Sequence, residues 1–242
     1  PELLRLRYTS PHPRHVTPEL ISAHGRLAML PAHVHLPVQS GSDRVLRRML
    51  RRYRRQDFLE SAAALRSARP GLTLSTDIIV GFPDETEADF AETLSLVEEA
   101  GFVSVFAFKY SPRPHTPALR LGDTVPEDVK SDRLDRLFAF ADVQQQRHLN
   151  SLVGKTVEVL VEGRSKNDPR RVTGRSERHE IVHVTAPPGV DLTGQLLRVR
   201  VLEANKRSLI AEPLEPIAPA LHHQPVVRSQ PAQALRLPLL PH

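Results

Sequence analysis

Apolar and β-branched residues recur along the chain in patterns that predict short strands and helices. The clearest pattern is residues 72–85, LTLSTDIIVGFPDE, where an apolar run stops at Gly81 and passes into an acidic helix start. Such a run is typical of a strand that is covered on both faces, as in a parallel sheet. Parallel α/β folds bind ligands at the carboxyl ends of their strands, so Asp77, Gly81 and Glu85 are candidate contacts. The alternative is a plain core strand followed by a turn.

Strands and helices alternate through the first 110 residues. The pattern predicts strands at 3–9, 33–38, 72–80 and 102–110, and helices at 17–27, 43–53, 56–68 and 86–100. Four strands separated by helices predict parallel pairing with right-handed crossovers. Four strands are too few to close a barrel, so the expected fold class is α/β with a partial, incomplete parallel β/α barrel.

A long helix and a set of short strands follow. Residues 111–125 predict a proline-rich loop, and Pro126 opens a helix that extends to about residue 152. Its apolar residues recur at helical spacing and predict a buried stripe made of Val129, Leu134, Leu137, Phe138, Ala141 and Val143. After Gly154, five short alternating segments predict a small all-β barrel of about 60 residues. Residues 214–242 are rich in proline and predict a disordered tail.

Composition narrows the choice of partners. The 242 residues include no cysteine, which excludes disulfides and thiolate-held metals within this sequence. No apolar run reaches the roughly 18 residues of a membrane span, and residues 1–10 do not resemble a signal peptide, so we expect a soluble, cytoplasmic protein. The net charge of +5 favours a polyanionic partner such as RNA. A solvated basic surface is the open alternative.

Polar residues follow two of the predicted strands. Gln39 begins a small-residue turn, QSGS, at the same end of the sheet as Asp77 and Gly81. Arg51 lies near the end of the next predicted helix, where a guanidinium can pair with a carboxylate. Spacing alone does not distinguish Arg51 from the other arginines of RRMLRRYRR. Histidines such as His33 and His35 are expected to be structural or on the surface.

Four motifs carry a resemblance to a known family. RYTSPHP, HVHLPVQSGSDRVLRRM, TDIIVGFPDET and YSPRPHTPA occur in this order before the predicted β-barrel. Together they resemble the radical S-adenosylmethionine methylthiotransferases, and most closely the group that methylthiolates C2 of isopentenyl-adenosine beside the tRNA anticodon. The β-barrel resembles the TRAM domain, an RNA-binding module. The resemblance implies a partial radical S-adenosylmethionine barrel with its connecting helix over residues 1–150 and a TRAM-like domain over residues 151–213.

The resemblance also implies which residues bind the cofactor. By position in the motifs, Gln39 lies near S-adenosylmethionine, Arg51 contacts its carboxylate and Asp77 approaches its ribose. The remaining implied contacts are Ser40 beside the turn and Val80, Gly81 and Phe82 against the adenine. Two residues depart from the family pattern: Asp84 and His115 replace glycines, at positions where a residue with a Cβ disfavours positive φ.

The iron–sulfur ligands of this family are absent from the chain. The family holds two 4Fe-4S clusters with cysteines, and none of those cysteines occurs in this sequence. The resemblance therefore implies a C-terminal fragment of a tRNA-modifying transferase that is inactive alone and carries no catalytic or metal-ligating residue of its own.

The implied partner is the anticodon stem-loop of tRNA, bound by a monomer. The candidate RNA-binding residues are basic and follow one another in and after a single predicted loop: Arg164, Lys166, Arg170, Arg171, Arg175 and Arg178. A non-catalytic RNA-binding protein that uses the TRAM-like domain is the alternative. An ordinary β/α-barrel metabolic enzyme is disfavoured because the strand ends offer no carboxylate pair or histidine cluster.

Overall fold

The computed structural model describes residues 3–8, 11–187 and 189–217. Its elements form a three-stranded parallel sheet, flanked by helices, and a closed five-stranded barrel. The sheet consists of β1 (His33–His35), β2 (Thr73–Val80) and β3 (Ser104–Lys109), in that order. The helices are α1 (Pro18–Arg26), α2 (Asp43–Arg48), α3 (Arg55–Ala68), α4 (Glu87–Ala100) and α5 (Glu127–Asn150), with 3-10 turns at Pro13–His15 and Pro117–Leu121.

The sheet has one covered face and one open face. Side chains alternate along a strand, so Leu74 and Ile78 of β2 point with Val34 and Ala107 into a core shared with the helices. The opposite face carries the side chains of Ser75, Asp77 and their neighbours on β1 and β3. On that face Phe106 and Phe108 are 51% and 56% exposed.

Local signals set the boundaries of α4. Thr86 accepts a hydrogen bond from the Asp89 amide, and the Asp89 carboxylate accepts one from the Thr86 amide, which completes a capping box. Gly101 ends the helix in the left-handed region, at φ 58°. Thr17 caps α1 by accepting a hydrogen bond from the Leu20 amide, with Pro18 at the first turn. Both helices follow the sequence prediction.

The predicted strand at residues 3–9 is wrong for residues 3–8, which lie outside both sheets, while residue 9 lies outside the described residues. The alternation that predicted it turns arginines, not leucines, toward the protein. Arg5 is 7% exposed in its side chain and donates to the carbonyls of Arg175 and Ser176 at 2.9 and 3.1 Å. Leu3 and Leu6 are 56% and 44% exposed. The sheet therefore has three strands in the described residues, one fewer than predicted.

The helix predicted at residues 43–53 ends early, at Arg48. Leu50 adopts a positive φ of 57° and donates its amide to the Arg47 carbonyl at 3.0 Å. The Arg51 amide reaches back to the Leu46 carbonyl at 2.9 Å, so a Schellman motif closes the helix with leucine at the position that usually holds glycine. Arg51 therefore follows the helix and is not part of it.

The buried stripe of α5 differs from the prediction. Leu137 and Ala141 are buried as expected, but Phe138 and Val143 are 37% and 50% exposed. Two charged residues take part in the stripe instead: Lys130 and Arg133 are 2% and 4% exposed. Each is paired, Lys130 with Asp123 and Arg133 with Glu85, and paired charges are the ones that tolerate burial.

The second half of the chain confirms the predicted small β-barrel. Its strands are β4 (Thr156–Arg164), β5 (Arg171–Ser176), β6 (Ile181–Thr185), β7 (Leu196–Ala204) and β8 (Ser208–Pro213), closed in the order β4-β5-β6-β8-β7. Alternating valines such as Val157, Val159 and Val161 fill the interior. Most of the predicted tail, residues 218–242, lies outside the described residues.

The barrel contacts the parallel sheet through the turn between β5 and β6. The Arg178 Nε donates to the Gly71 carbonyl at 3.0 Å, and the Thr73 hydroxyl donates to the Arg178 carbonyl at 3.2 Å. His148 of α5 lies 2.7 Å from the Glu180 carboxylate. Burial alone raises the pKa of Glu180, but hydrogen bonds from His148 and Ser176 outweigh burial and lower it. Among the described helices, none is long and apolar enough to cross a membrane.

Candidate functional site

Gln39 and Asp77 lie side by side at the carboxyl end of the sheet. The Gln39 amide donates to the Asp77 carbonyl at 2.8 Å, and the Ile79 amide donates to the Gln39 carbonyl at 2.9 Å. Gln39 has a positive φ of 71° and is 9% exposed. The backbone of β2 therefore holds these two sequence-predicted residues together where parallel sheets bind ligands.

The Asp77 carboxylate lies on the open face of the sheet. Its Oδ1 is 3.3 Å from Nε2 of His35, and the Asp77 side chain is 30% exposed. One side of the carboxylate is therefore engaged within the protein while part of it faces solvent. A partly exposed carboxylate at a strand end can accept hydrogen bonds from the hydroxyls of a ribose.

The turn after Gln39 packs tightly against α4. The side chain of Ser40 is fully buried, and the Gly41 amide donates to the Thr93 hydroxyl at 3.0 Å. A Cβ on Gly41 would lie 2.5 Å from the Glu92 carbonyl oxygen, so this close approach requires glycine. Ser40 as a whole residue is buried, so its contact with the cofactor stays a prediction.

The segment from Val80 to Phe82 also turns its side chains into the protein. Val80 is fully buried, and Phe82 packs edge-on against Tyr110 with 5.1 Å between ring centroids. Gly81 has a φ of 69°, and a Cβ there would lie 2.3 Å from Cγ of Lys130. All three residues are buried, and the Gly81 amide and the Val80 and Phe82 carbonyls are hydrogen-bonded within the protein, so their contact with an adenine stays a prediction.

Glu85 is engaged by the protein. Its carboxylate accepts the Gly81 amide at 3.0 Å and lies 3.0 Å from the guanidinium of Arg133. Burial raises the pKa of Glu85, and the Gly81 amide and Arg133 oppose that shift. The structure thus assigns the Glu85 carboxylate a structural role and leaves it unavailable as a contact for a small molecule.

The two departures from the family pattern keep the backbone shape that glycine would favour. Asp84 and His115 both have a φ of 63°. Asp84 is held there by hydrogen bonds with Thr124 on both its amide, at 2.7 Å, and its carboxylate, at 2.9 Å. Arg48 adds an ion pair to the Asp84 carboxylate. These contacts offset part of the cost of a left-handed residue with a Cβ.

Arg51 is not brought into contact with Gln39 or Asp77. Its amide completes the Schellman motif, and its side chain makes no hydrogen bond or ion pair with the part of the chain that the structure describes. Burial and then the charge of Arg51 lower the pKa of His12. Tyr53 donates its hydroxyl to the Val38 carbonyl at 2.9 Å and so holds this segment near the end of the strand. The role of Arg51 stays a prediction.

The six candidate RNA-binding residues form two groups. Lys166 and Arg170 lie in the loop joining β4 to β5, at one end of the barrel, and Arg164 and Arg171 flank that loop at the ends of the two strands. Arg164 donates to the carbonyls of Pro169 and Val190 at 2.9 and 2.7 Å and so shapes the loop. Arg170 is 78% exposed in its side chain, which leaves it accessible to a phosphate.

Arg175 and Arg178 lie at the other end of β5, beside the parallel sheet. The guanidinium of Arg175 contacts His179 and Glu162, and Arg178 contacts Glu177 and the Gly71 carbonyl. Consecutive positions in the sequence had suggested one basic patch. The two groups lie toward opposite ends of β5, a strand of six residues, and these last two arginines contact the protein itself.

The sequence analysis missed a polar series that leads to Asp77. His33 and His35 contact Ser75 at 3.0 and 2.9 Å on the open face. Their i, i+2 spacing in HVH placed them on one face of a strand, and a parallel register would have aligned His35 with Ser75. In the described residues no three histidine, aspartate or glutamate side chains are grouped to hold a metal ion.

Comparisons with known proteins match both halves of the chain. Residues 2–97 match the model of the Radical SAM superfamily, and residues 150–214 match the TRAM domain. A tRNA-2-methylthio-N(6)-dimethylallyladenosine synthase of Sorangium cellulosum is 59% identical over 218 residues, which cover 88% of this chain and 44% of that protein. A synthase of the same name from Acidithiobacillus ferrooxidans is 47% identical over 86% of this chain and 46% of its own length.

One solved structure is also similar. The coproporphyrinogen III oxidase HemN of Escherichia coli, described as a radical SAM enzyme, has a TM-score of 0.47 and 24% identity, covering 56% of this chain and 31% of HemN. The chain spans less than half the length of the two curated relatives above, and it matches their C-terminal part. By these sequence matches, the chain belongs to the radical S-adenosylmethionine methylthiotransferase family and carries its TRAM domain.

Proposed function

We propose that this chain is the C-terminal part of a tRNA methylthiotransferase that adds a methylthio group to C2 of N6-isopentenyl-adenosine. The observation that carries the proposal is the 59% identity with a synthase named for that product. Residues 1–150 form part of the radical S-adenosylmethionine barrel with its connecting helix, and residues 151–213 form the TRAM domain. The non-catalytic alternative is not favoured, because the matching relatives are named as synthases.

The carboxyl end of the sheet suits S-adenosylmethionine. Asp77 offers a partly exposed carboxylate for the ribose, and backbone hydrogen bonds hold Gln39 next to this part of β2. The backbone of residues 80–82 lies at the same edge, and Arg51 follows a helix that begins there. In the complete enzyme the cofactor supplies the radical and the methyl group for the reaction. The residues of this chain bind and orient it.

The chain does not fit the iron–sulfur clusters of the family. Cluster iron is held by cysteine thiolates, and the sequence contains none. All cluster ligands must therefore lie in a part of the enzyme beyond these residues. We expect the chain alone to bind neither cluster and to catalyse no methylthiolation.

The loop between β4 and β5 supports binding of tRNA, with the anticodon stem-loop as the proposed target of a monomer. Arg170 and Arg171 both pair with Asp168, at 3.3 and 3.4 Å, but Arg170 remains largely exposed. Exposed arginines of this kind contact backbone phosphates and contribute a salt-dependent affinity. The match of residues 150–214 to the TRAM domain supports the same assignment.

A chimera tests the proposed function. The matching segment of the Sorangium cellulosum synthase is replaced by this chain, and the chimera is produced in a host that lacks its own methylthiotransferase. Mass spectrometry of the tRNA nucleosides should reveal the 2-methylthio form of dimethylallyladenosine, as with the unaltered synthase. A folded, cluster-loaded chimera that leaves the nucleoside unmodified would overturn the proposal.

A further inference from the structure

A series of four polar side chains runs across the open face of the sheet. Nε2 of His33 lies 3.0 Å from the Ser75 hydroxyl, and the same hydroxyl lies 2.9 Å from Nδ1 of His35. Nε2 of His35 lies 3.3 Å from Oδ1 of Asp77. The series joins the buried start of β1 to the Asp77 carboxylate, in the C-terminal half of β2, that is proposed to bind the cofactor.

Only one arrangement of protons satisfies every contact when both histidines are neutral. The Asp77 carboxylate, 3.3 Å from Nε2 of His35, is negatively charged and has no proton to donate, so a proton on Nε2 is favoured over a lone pair there. Nδ1 of His35 is then an acceptor and takes the Ser75 hydroxyl proton. The Ser75 oxygen in turn accepts from Nε2 of His33. Every donor points toward Asp77, so the series holds the His35 ring in one tautomer and one orientation.

The barrel covers the far end of the series. The His33 ring stacks on His179 of the β5–β6 turn, with 4.9 Å between ring centroids. Nη1 of Arg175 lies 3.3 Å from Nε2 of His179, and a guanidinium only donates, so that nitrogen is unprotonated. His179 itself has a positive φ of 77°, which turns its ring out of the barrel toward the sheet.

The charges around this stack favour neutral rings. His33 faces His179, Arg7, His35 and Arg175, and burial together with these groups lowers the pKa of His33 to about 3. His179 faces Arg7, Arg175 and Arg5, with Glu180 opposing them, and burial with these cations lowers the pKa of His179 to about 4. A proton on either ring would place a charge in contact with several cations. The stacking of His33 on His179 therefore favours neutral rings, and neutral rings favour the proton arrangement of the series.

We propose that His35 is a positioning residue for Asp77 and that the TRAM barrel fixes this series by capping its His33 end with His179. This inference rests on the proposed cofactor role of Asp77. The docking of the RNA-binding barrel against the sheet then also determines the orientation of the Asp77 carboxylate. A change in how the barrel sits on the sheet alters the orientation of Asp77 without touching it.

Nitrogen-15 NMR of the histidine rings in the intact chain tests the series. The unaltered chain should show His35 with its proton on Nε2. Ser75→Ala should release His35 into a mixture of tautomers, and His179→Ala should raise the pKa of His33 toward its ordinary value and loosen the same His35 signal. His179→Phe keeps a stacked ring and should restore the His35 signal. His183→Ala, a barrel histidine bonded to Thr173, serves as the control.

Two results would overturn the inference. One is the observation, in the unaltered chain, that His35 carries its proton on Nδ1. The other is an unchanged His35 signal in both Ser75→Ala and His179→Ala. In the chimera, Asp77→Asn should weaken S-adenosylmethionine binding about tenfold or more, and His35→Gln should weaken it several-fold. If Asp77→Asn weakens binding and His35→Gln does not, His35 does not position Asp77, although the cofactor site stands. If Asp77→Asn has no effect, Asp77 is not part of a cofactor site.

Discussion

The guanidinium of Arg133 lies 3.0 Å from the Glu85 carboxylate, and the two side chains are only 5% and 2% exposed. The pair fastens α5 to the loop that follows β2. That loop contains Gly81, whose amide also donates to Glu85. The helix that leads to the barrel is thus tied to the edge of the sheet where the cofactor is proposed to bind.

Arg133→Met should destabilise the chain strongly, because it leaves the Glu85 carboxylate buried without its cation. Breaking one partner of a buried ion pair costs about 3 to 5 kcal/mol. Arg136→Ala, which breaks exposed pairs with Glu87 and Asp132, is the matched control and should cost about 1 kcal/mol or less. Chemical denaturation measures both. Equal losses in the two variants would contradict the structural role of the buried pair.

Asp89 should make the stability of the chain depend on acid pH. Burial raises its pKa, but hydrogen bonds from Arg44, Ser42 and Thr86 outweigh burial and lower the pKa far below its ordinary value. Stabilisation by a carboxylate with a lowered pKa is complete above its unfolded value of about 4 and is lost as the pH falls below that value.

Asp89→Asn should therefore lower stability at neutral pH by about 1 to 3 kcal/mol and flatten the loss of stability on acidification. Denaturation at several pH values measures the effect, with Asp135→Asn on the exposed side of α5 as the control. An Asp89→Asn profile parallel to that of the unaltered chain would show that Asp89 does not account for the acid sensitivity.

Arg51→Ala should weaken S-adenosylmethionine binding in the complete enzyme by about 1.5 to 3 kcal/mol, the usual contribution of a charge-assisted hydrogen bond. The guanidinium of Arg51 has no hydrogen-bond or ion-pair partner in the part of the chain that the structure describes, which leaves it available for the cofactor carboxylate. Calorimetry on the cluster-loaded chimera measures the affinity. Arg52→Ala, at the exposed neighbouring position, is the control, and an equal affinity for both variants would refute the assignment.

Sequence patterns predicted the elements that local chemistry determines. The Thr86 cap, the Gly101 ending and the five barrel strands all follow from residues close together in the chain. The early end of α2 was missed because Leu50, not glycine, adopts the left-handed conformation. The helix propensities of these residues did not predict this early end.

Contacts distant in sequence account for the other differences. The arginines of residues 3–8 are stabilised by carbonyls about 170 positions away, and no local pattern reveals such partners. Lys130 and Arg133 broke the predicted apolar stripe because acidic partners on other segments made their burial possible. The series from His33 to Asp77 likewise depends on strand register, which periodicity alone does not supply.

Replacing both Arg170 and Arg171 with alanine should make tRNA binding less sensitive to salt. Each phosphate neutralised adds roughly 0.7 to 0.9 to the slope of log affinity against log salt, so the double variant should flatten that slope by about one to two units. Fluorescence anisotropy of the chain with tRNA at several salt concentrations measures it. The matched control replaces Arg198 and Arg200 with alanine, because these residues face Glu158 and Glu212 on neighbouring strands. Identical slopes for the two double variants would exclude the loop as the tRNA contact.

The affinity of the chimera for S-adenosylmethionine, measured by calorimetry with and without Asp77→Asn, tests the cofactor site most directly. Asn keeps the size of the side chain and removes its charge, so binding should weaken by roughly 1.5 to 3 kcal/mol, about tenfold or more, with the cluster content and the tRNA affinity unchanged. Asp142→Asn, whose partly exposed carboxylate pairs with the exposed Lys206 and Arg207, controls for the loss of a partly exposed carboxylate. Unchanged cofactor affinity in a folded, cluster-loaded Asp77→Asn chimera would contradict the site.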